Sequence, residues 1–380
     1  MRKPYDIVII GAGSIGVAVG MALGLRGGFR VAVIERNGGV GQGQNNRAIG
    51  GIRATHTNFG KTVTCLKSIE IFSCWKNTHG DDIGWVKGGY CFPAYSREHE
   101  DLLRGNLRRA RSRGLHIEWM EPQNIEMVIP GIRSNGLLGG TFSPDDGRAS
   151  SLLAIEAFYR FSLSLGIEFR FRETVKDILV ERNAVKGVMT DNGAYLADWV
   201  INAAGVSARK IGFLAGLDVP VRPSLHLAGI TESARTHINP LVVDLRSVPD
   251  CDNFYFFQNG NGQIVFTLSP TGKSKAIEKA GSVFTERMDM LIPGLKNLGI
   301  RKKWAGAYPM TPDGVPIVGE VESPAGYVNA VGMCGQGFML GPGVGELVAH
   351  IVTGELTAVD REVLKMFSFY RDFNQPEELK

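Results

Sequence analysis

The stretch Tyr5-Asp6-Ile7-Val8-Ile9-Ile10-Gly11-Ala12-Gly13-Ser14-Ile15-Gly16 decides the fold. Its Ile7–Ile10 core is a short, β-branched, apolar run suited to a buried parallel strand. A G-x-G-x-x-G turn follows at once. Gly11 permits the tight turn, Gly13 lets backbone come close to a pyrophosphate, and Gly16 lets helix and strand pack closely. Val17 to Arg26 reads as a helix, and Phe29 to Ile34 as a second strand running into Glu35. The helix start offers free N–H groups and a positive dipole end to phosphates. Glu35 lies 19 residues after Gly16, where a carboxylate accepts from ribose hydroxyls and repels a 2′-phosphate. Strand, glycine turn, helix, strand and acid together predict an adenine dinucleotide site. The motif alone does not separate NAD from FAD.

Composition narrows the class. The chain has 380 residues with 42 Lys+Arg against 38 Asp+Glu, a net charge of +4. So small an excess gives no electrostatic case for a nucleic-acid partner. The 49 glycines are about twice the usual share of roughly 7%, without a collagen period, so backbone must approach other groups closely at many places. Five scattered cysteines with no CxxC pair argue against a disulfide framework or a metal centre and favour a reducing, cytoplasmic setting. Ile7–Leu25 and Ser323–Gly345 carry no charge but are broken by glycines, so neither reads as a membrane segment.

Three later segments favour FAD. Asn45 to Arg53 is a polar loop holding Gly50-Gly51, where a nicotinamide enzyme would continue into another βαβ unit. Ala197 to Gly205 reads as a strand ending in small residues, which leave room for a cofactor at a strand's carboxyl end. Tyr327 to Gly332 reads as a strand, Met333 to Gly343 as a glycine-rich loop, and Val344 to Ile351 as a helix. A second helix N-terminus beside that loop suits the negative charge of a reduced flavin.

With these motifs the chain resembles the flavoprotein amine oxidoreductases of the D-amino acid oxidase superfamily. The branch it is similar to contains glycine oxidase, the sarcosine oxidase beta subunit and the beta subunit of dye-linked L-proline dehydrogenase. The likeness is carried by Gly11–Gly16 with Glu35, by Gly50-Gly51-Ile52-Arg53, by Ser143-Pro144-Asp145-Asp146-Gly147 and by Val200-Ile201-Asn202-Ala203-Ala204-Gly205. It continues in Trp304 to Gly319, which contains Thr311-Pro312-Asp313-Gly314, and in Gly335-Gln336-Gly337-Phe338-Met339. The resemblance implies non-covalent FAD and oxidation of a C–N bond beside a carboxylate, with hydride passing to flavin N5. It implies cofactor contacts at Gly11, Gly13, Ser14, Ile15, Gly16, Glu35, Arg36, Arg47, Gly50, Gly51, Val175, Ala204, Gly205, Gly306, Gly335, Gln336, Gly337, Phe338 and Met339.

For the substrate, the resemblance implies Arg53 as a carboxylate partner, Tyr255 as a donor to the same group, and His226 as a polar neighbour. A lone His or Tyr of this kind also occurs as a packed structural residue. Glycine oxidases have Arg where this chain has Tyr308, several relatives have a cation where it has Met339, and others have His where it has Gln336. Gly306, Ala307 and Tyr308 stand where some sarcosine oxidases tether flavin through Cys, so no covalent link is expected there. In some oxidase relatives a Lys in a substrate-domain strand favours electron transfer to oxygen; Ser247 to Gly272 contains no Lys or Arg, so the resemblance implies a dehydrogenase rather than an oxidase.

The expected fold is α/β: a Rossmann-like FAD-binding domain of residues 1–85, 146–220 and 309–370, interleaved with an α+β substrate domain of residues 86–145 and 221–308. The latter is built on an antiparallel or mixed sheet with strands at Leu225–Thr231, Leu241–Leu245, Phe254–Gln258 and Gln263–Leu268 and a helix at Lys275–Met290. Residues 371–380 form a tail, expected to fray. The expected substrate is a small secondary or primary amino acid such as proline, sarcosine or glycine. The alternatives are a 2-hydroxy acid or glycerol 3-phosphate dehydrogenase, or a non-catalytic flavin subunit. The arginine-rich helix Arg97–Arg113 reads as a solvated face or as a dock for a partner subunit or electron acceptor.

Overall fold

The computed structural model describes residues 5–270 and 276–379. The sequence builds the strand β1 (Ile7–Ile10), the helix α1 (Ser14–Arg26) and the strand β2 (Val31–Glu35). β1 is flanked by parallel partners on both sides, β2 and the strand Trp199–Asn202. It is buried on both faces, which is why it is apolar at every position. The full six-stranded sheet runs, in spatial order, 317–320, 327–331, 199–202, 7–10, 31–35 and 168–171. Only its edge strand Ile317–Glu320 is antiparallel.

A second, eight-stranded sheet has the spatial order 300–310, 222–233, 263–270, 251–258, 241–244, 90–94, 139–143 and 118–120. It is mixed, because Leu241–Asp244 pairs in parallel with Tyr90–Ala94 while the other neighbours are antiparallel. The four strands expected are present as Arg222–Ser233, Leu241–Asp244, Cys251–Gln258 and Gln263–Pro270. The expected helix spans Ala276–Leu291, and Lys275 lies outside the described residues. Along these strands alternate residues separate by chemistry. Phe254, Phe256, Phe266 and Leu268 pack with Phe284 and Met288 of that helix. The intervening residues face the other way, toward the first sheet.

The loop-then-helix reading of Met333–Ile351 needs correction. The helix starts at Gly337 and runs to Thr353, with Gly341-Pro342-Gly343 inside it. Close packing holds this glycine-rich turn helical. A Cβ on Gly341 would lie 2.9 Å from the Ser14 carbonyl oxygen, one on Gly345 2.6 Å from that of Ala18, and one on Gly343 would overlap that of Thr64. Three of the 49 glycines thus serve where this helix presses on α1 and on the helix Phe59–His79.

The tail also differs from expectation. Glu377 and Leu379 are fully buried. The Glu377 carboxylate accepts from the Thr57 and Asn58 N–H groups (2.9 and 3.0 Å) and from Thr57 Oγ1 (2.7 Å), and it pairs with buried Lys61 at 3.5 Å. Arg371 forks onto Asp313 at 2.7 and 3.0 Å. Ion pairs and an anionic cap on a helix N-terminus hold the strap down, so it does not fray.

Candidate active site

A single large cavity of about 510 Å³ lies between the carboxyl ends of the first sheet and the polar face of the second. At one end the glycine turn meets α1. Glu35 accepts from Ala12 N–H at 2.8 Å and from Asn37 N–H at 2.8 Å, so its carboxylate sits at the lip of the crevice outside β1 and β2. Asn45 Oδ1 accepts from the Ser14 N–H at 3.0 Å, and a Cβ on Gly13 would sit 3.0 Å from that same oxygen. Ser14 Oγ donates to the Gly337 carbonyl at 2.9 Å and joins the two helix starts.

The loop carrying Gln44 and Arg47 crosses to the strand Ile300–Met310. Gln44 Oε1 accepts from Ala307 N–H at 2.8 Å, Arg47 Nη1 donates to the Ala305 carbonyl at 2.8 Å, and Trp304 Nε1 donates to the Arg47 carbonyl at 2.9 Å. Gln336, at the start of the helix Gly337–Thr353, is 7% exposed, and its Oε1 has no protein partner. A buried, unpaired amide beside a helix N-terminus is the environment a polar ring edge of a bound cofactor would complete.

Of the expected cofactor residues, Gly11, Gly13, Ser14, Ile15, Glu35, Arg36, Arg47, Gly50, Gly51, Val175, Ala204, Gly205, Gly306, Gly335, Gln336, Gly337, Phe338 and Met339 all line this cavity. Gly16 does not. A Cβ there would overlap the Gly11 carbonyl oxygen, so Gly16 serves the close packing of α1 on the turn. The donor set fits FAD: a pyrophosphate-sized glycine turn, a carboxylate for ribose, and a second helix N-terminus with an unsatisfied amide.

At the far end the sheet presents Ser224, His226, Asn253, Tyr255, Ser269 and Tyr308. Antiparallel register places His226 opposite Gly306 and Ser224 opposite Tyr308. Period-2 alternation then turns these side chains to one face. The Tyr255 and Tyr308 hydroxyls are 2.9 Å apart. His226 stacks on Tyr308 with ring centroids 3.9 Å apart and planes 14° from parallel. Burial pushes the His226 imidazole down to about 4, so the ring is neutral near pH 7. Burial, followed by the neighbouring Tyr255, holds the Tyr308 phenol well above its usual range.

Arg53 also borders the cavity, at 4% exposure, but its guanidinium donates to the Thr55 carbonyl and, at 2.7 Å, to the Leu379 carbonyl of the tail. Its charge lies in the wall, and two of its donors are already engaged. Sequence reading noted Tyr308 only as the loss of an arginine, yet it stands at the centre of this cluster. Asn253, Ser269 and Ser224 were missed. Counting two residues along a strand from Tyr255 and from His226 would have found Asn253 and Ser224, and the cross-strand register adds Ser269. Among the described residues no group of acids, histidines and cysteines could hold a metal ion, and no helix is long and apolar enough to cross a membrane. The arginines of Arg97–Arg113 are largely engaged: Arg97 and Arg104 on Glu100, Arg111 on the Ile117 carbonyl and Arg113 on the Thr57 carbonyl.

Comparison with known proteins agrees with this geometry. The L-proline dehydrogenase structure from P. horikoshii superposes with a TM-score of 0.87 at 28% identity, covering 98% of each chain. The glycine oxidase of Geobacillus kaustophilus is 28% identical over 95% of this chain and 96% of its own length. The 4-methylaminobutanoate oxidase (formaldehyde-forming) of Paenarthrobacter nicotinovorans is 24% identical over 98% of this chain, which spans only 46% of that longer protein. The DAO model of FAD-dependent oxidoreductases matches residues 6–351. The chain therefore belongs to the DAO family of FAD-dependent oxidoreductases.

Proposed function

We propose that this chain oxidises the C–N bond of a small amino acid, a secondary one such as proline or sarcosine being favoured. The observation that carries the reading is a sheet face that brings Asp252 but no cation to the cavity. The cations lining the described cavity are Arg36, Arg47, Arg53 and Lys210, and none of them comes from the eight-stranded sheet. A phosphate group would want several cations converging on it, which disfavours glycerol 3-phosphate. A carboxylate is served by the hydroxyl pair. Tyr255 and Tyr308 share one proton between them, so the second phenolic proton is free to donate, with the Arg53 charge in the wall behind. Neutral His226 lies beside them, where it accepts from a substrate N–H and does not repel it.

Bound FAD supplies the hydride acceptor. The chain's residues hold it without a covalent bond: Gly11, Gly13, Ser14 and Ile15 at the pyrophosphate, Glu35 at the ribose, and Gly335, Gln336, Gly337, Phe338 and Met339 at the ring. In this reading residues 1–85, 146–220 and 309–370 form the cofactor domain, and the sheet built from 86–145 and 221–308 covers it and excludes water. Five unpaired cysteines support a cytoplasmic setting. A partner subunit or a soluble acceptor would take the electrons.

The test is to purify the holoprotein, record its visible spectrum and mix it anaerobically with a panel of amino and hydroxy acids. Bleaching by secondary amino acids is expected. Bleaching by hydroxy acids alone, or by nothing, would overturn the reading.

A further inference from the structure

The proton chain behind His226 has a direction that can be read from its acceptors. Ser269 Oγ lies 2.7 Å from Asn253 Oδ1 and 3.3 Å from His226 Nδ1. A hydroxyl has one proton and two lone pairs, and an amide oxygen only accepts. The Ser269 proton is therefore spent on Asn253. What Ser269 offers to Nδ1 is a lone pair, and that contact is a hydrogen bond only if Nδ1 carries the hydrogen. A neutral imidazole has one N–H, so Nε2 is bare. Among the described residues His226 makes no other side-chain hydrogen bond. The ring cannot turn freely, because it is stacked on Tyr308, which is itself packed against Gly335. A Cβ on Gly335 would overlap the Tyr308 ring.

We propose that Asn253 and Ser269 are positioning residues that hold His226 in the Nδ1–H tautomer, so that Nε2 presents a lone pair to an N–H of the substrate. The site then selects ligands that donate at this point and rejects isosteres that only accept there. The cost of the wrong match is a buried acceptor left facing an acceptor. The inference rests on the amino acid reading above for the identity of the donor. The tautomer itself does not depend on that reading.

Nitrogen NMR of histidine-labelled holoprotein tests the tautomer, with His226 identified among the seven histidines by its absence in His226→Gln. Wild type is expected to show protonated Nδ1 and bare Nε2. Asn253→Leu removes the acceptor, frees the Ser269 proton to turn toward Nδ1, and should exchange the two nitrogen signals. Asn253→Asp keeps an acceptor and should preserve the wild-type pattern.

Ligand preference is read in parallel from perturbation of the flavin spectrum by two flat carboxylates, pyrrole-2-carboxylate (N–H donor) and furan-2-carboxylate (acceptor only). Wild type should prefer the pyrrole by about tenfold, the worth of one hydrogen bond, and Asn253→Leu should lose that preference. Bare Nδ1 in wild type, which the opposite orientation of the Asn253 amide would produce, overturns the proposal. So does an Asn253→Leu protein with unchanged signals and unchanged preference. If Asn253→Leu does not fold, Ser269→Ala replaces it. Its expected result is a mixed tautomer population, and an unmixed wild-type pattern counts against the idea. Should amino acids fail to bleach the flavin while the tautomer is as stated, the substrate reading falls and the proton chain stands.

Discussion

At the scale of single residues, the sheet end of the cavity presents two phenols and an imidazole, while the Arg53 guanidinium is turned into the wall. Tyr308→Phe removes one of two hydroxyls 2.9 Å apart. Hydrogen bonds to charged groups are worth about 1.5–3 kcal/mol, so kcat/KM for the amino acid should fall about 10- to 100-fold with the flavin spectrum retained. A change below twofold would remove Tyr308 from carboxylate binding. Gly335→Ala is a harsher change, because φ is +82° and the new methyl would strike the Tyr308 ring. It should cost both stability and flavin retention, seen as a lower Tm and a colourless fraction on gel filtration.

Asp146 offers a test in pH. Buried beside the Ala54 N–H and Thr55, its carboxyl is pushed up by burial to about 7. A carboxyl raised above its unfolded value stabilises fully below that value, near 3.8, and loses the contribution as pH rises through about 7. Asp146→Asn keeps an acceptor for Ala54 and removes the titration. Urea midpoints measured between pH 4 and 7 should therefore decline less steeply in the variant. Parallel curves would show that Asp146 is not the titrating group.

At the scale of elements, the helix Phe59–His79 is tied to the tail through one carboxylate. Lys61 is 1% exposed and Glu377 2%. Burial opposes the charge on Glu377, yet Lys61 and the Thr57 and Asn58 donors outweigh it and draw the carboxyl down to about 2. Glu377→Ala leaves Lys61 buried without its partner, a change that costs about 3–5 kcal/mol in comparable sites. Because the same tail accepts from Arg53 through the Leu379 carbonyl, the variant should also raise KM. Chemical denaturation and steady-state kinetics together check both effects. Two of the expected strands of the second sheet owe their legibility to apolar side chains that pack on one face, Phe254 and Phe256 on one and Phe266 and Leu268 on its neighbour. The start of the helix at Gly337 was not legible. Intrinsic propensity places Gly341-Pro342-Gly343 in a loop, and only the neighbouring backbones of Ser14 and Thr64 reverse that.

At the scale of the whole molecule, the eight-stranded sheet borders the cavity without a lysine in 247–270. We expect slow reaction of the substrate-reduced protein with oxygen and fast turnover with an artificial electron acceptor. Rapid stoichiometric peroxide in air would make the protein an oxidase instead. FAD as the cofactor was readable from residues alone, because a pyrophosphate needs bare backbone at fixed spacing and Gly11, Gly13 and Glu35 fall within one βαβ unit.

What the amino-acid order by itself determined is therefore local: the dinucleotide turn, the acid after the second strand, four strands of the second sheet, and hence the family. The tertiary structure decided what depends on residues far apart in the chain. It set Tyr308 against Tyr255 and His226, fixed Ser269 between Asn253 and His226, turned Arg53 onto the tail and buried Glu377 on Lys61. Those pairings are separated by tens to hundreds of residues. Hydrogen-bond direction and burial exist only once the strands are in register, and no spacing rule along the sequence encodes them.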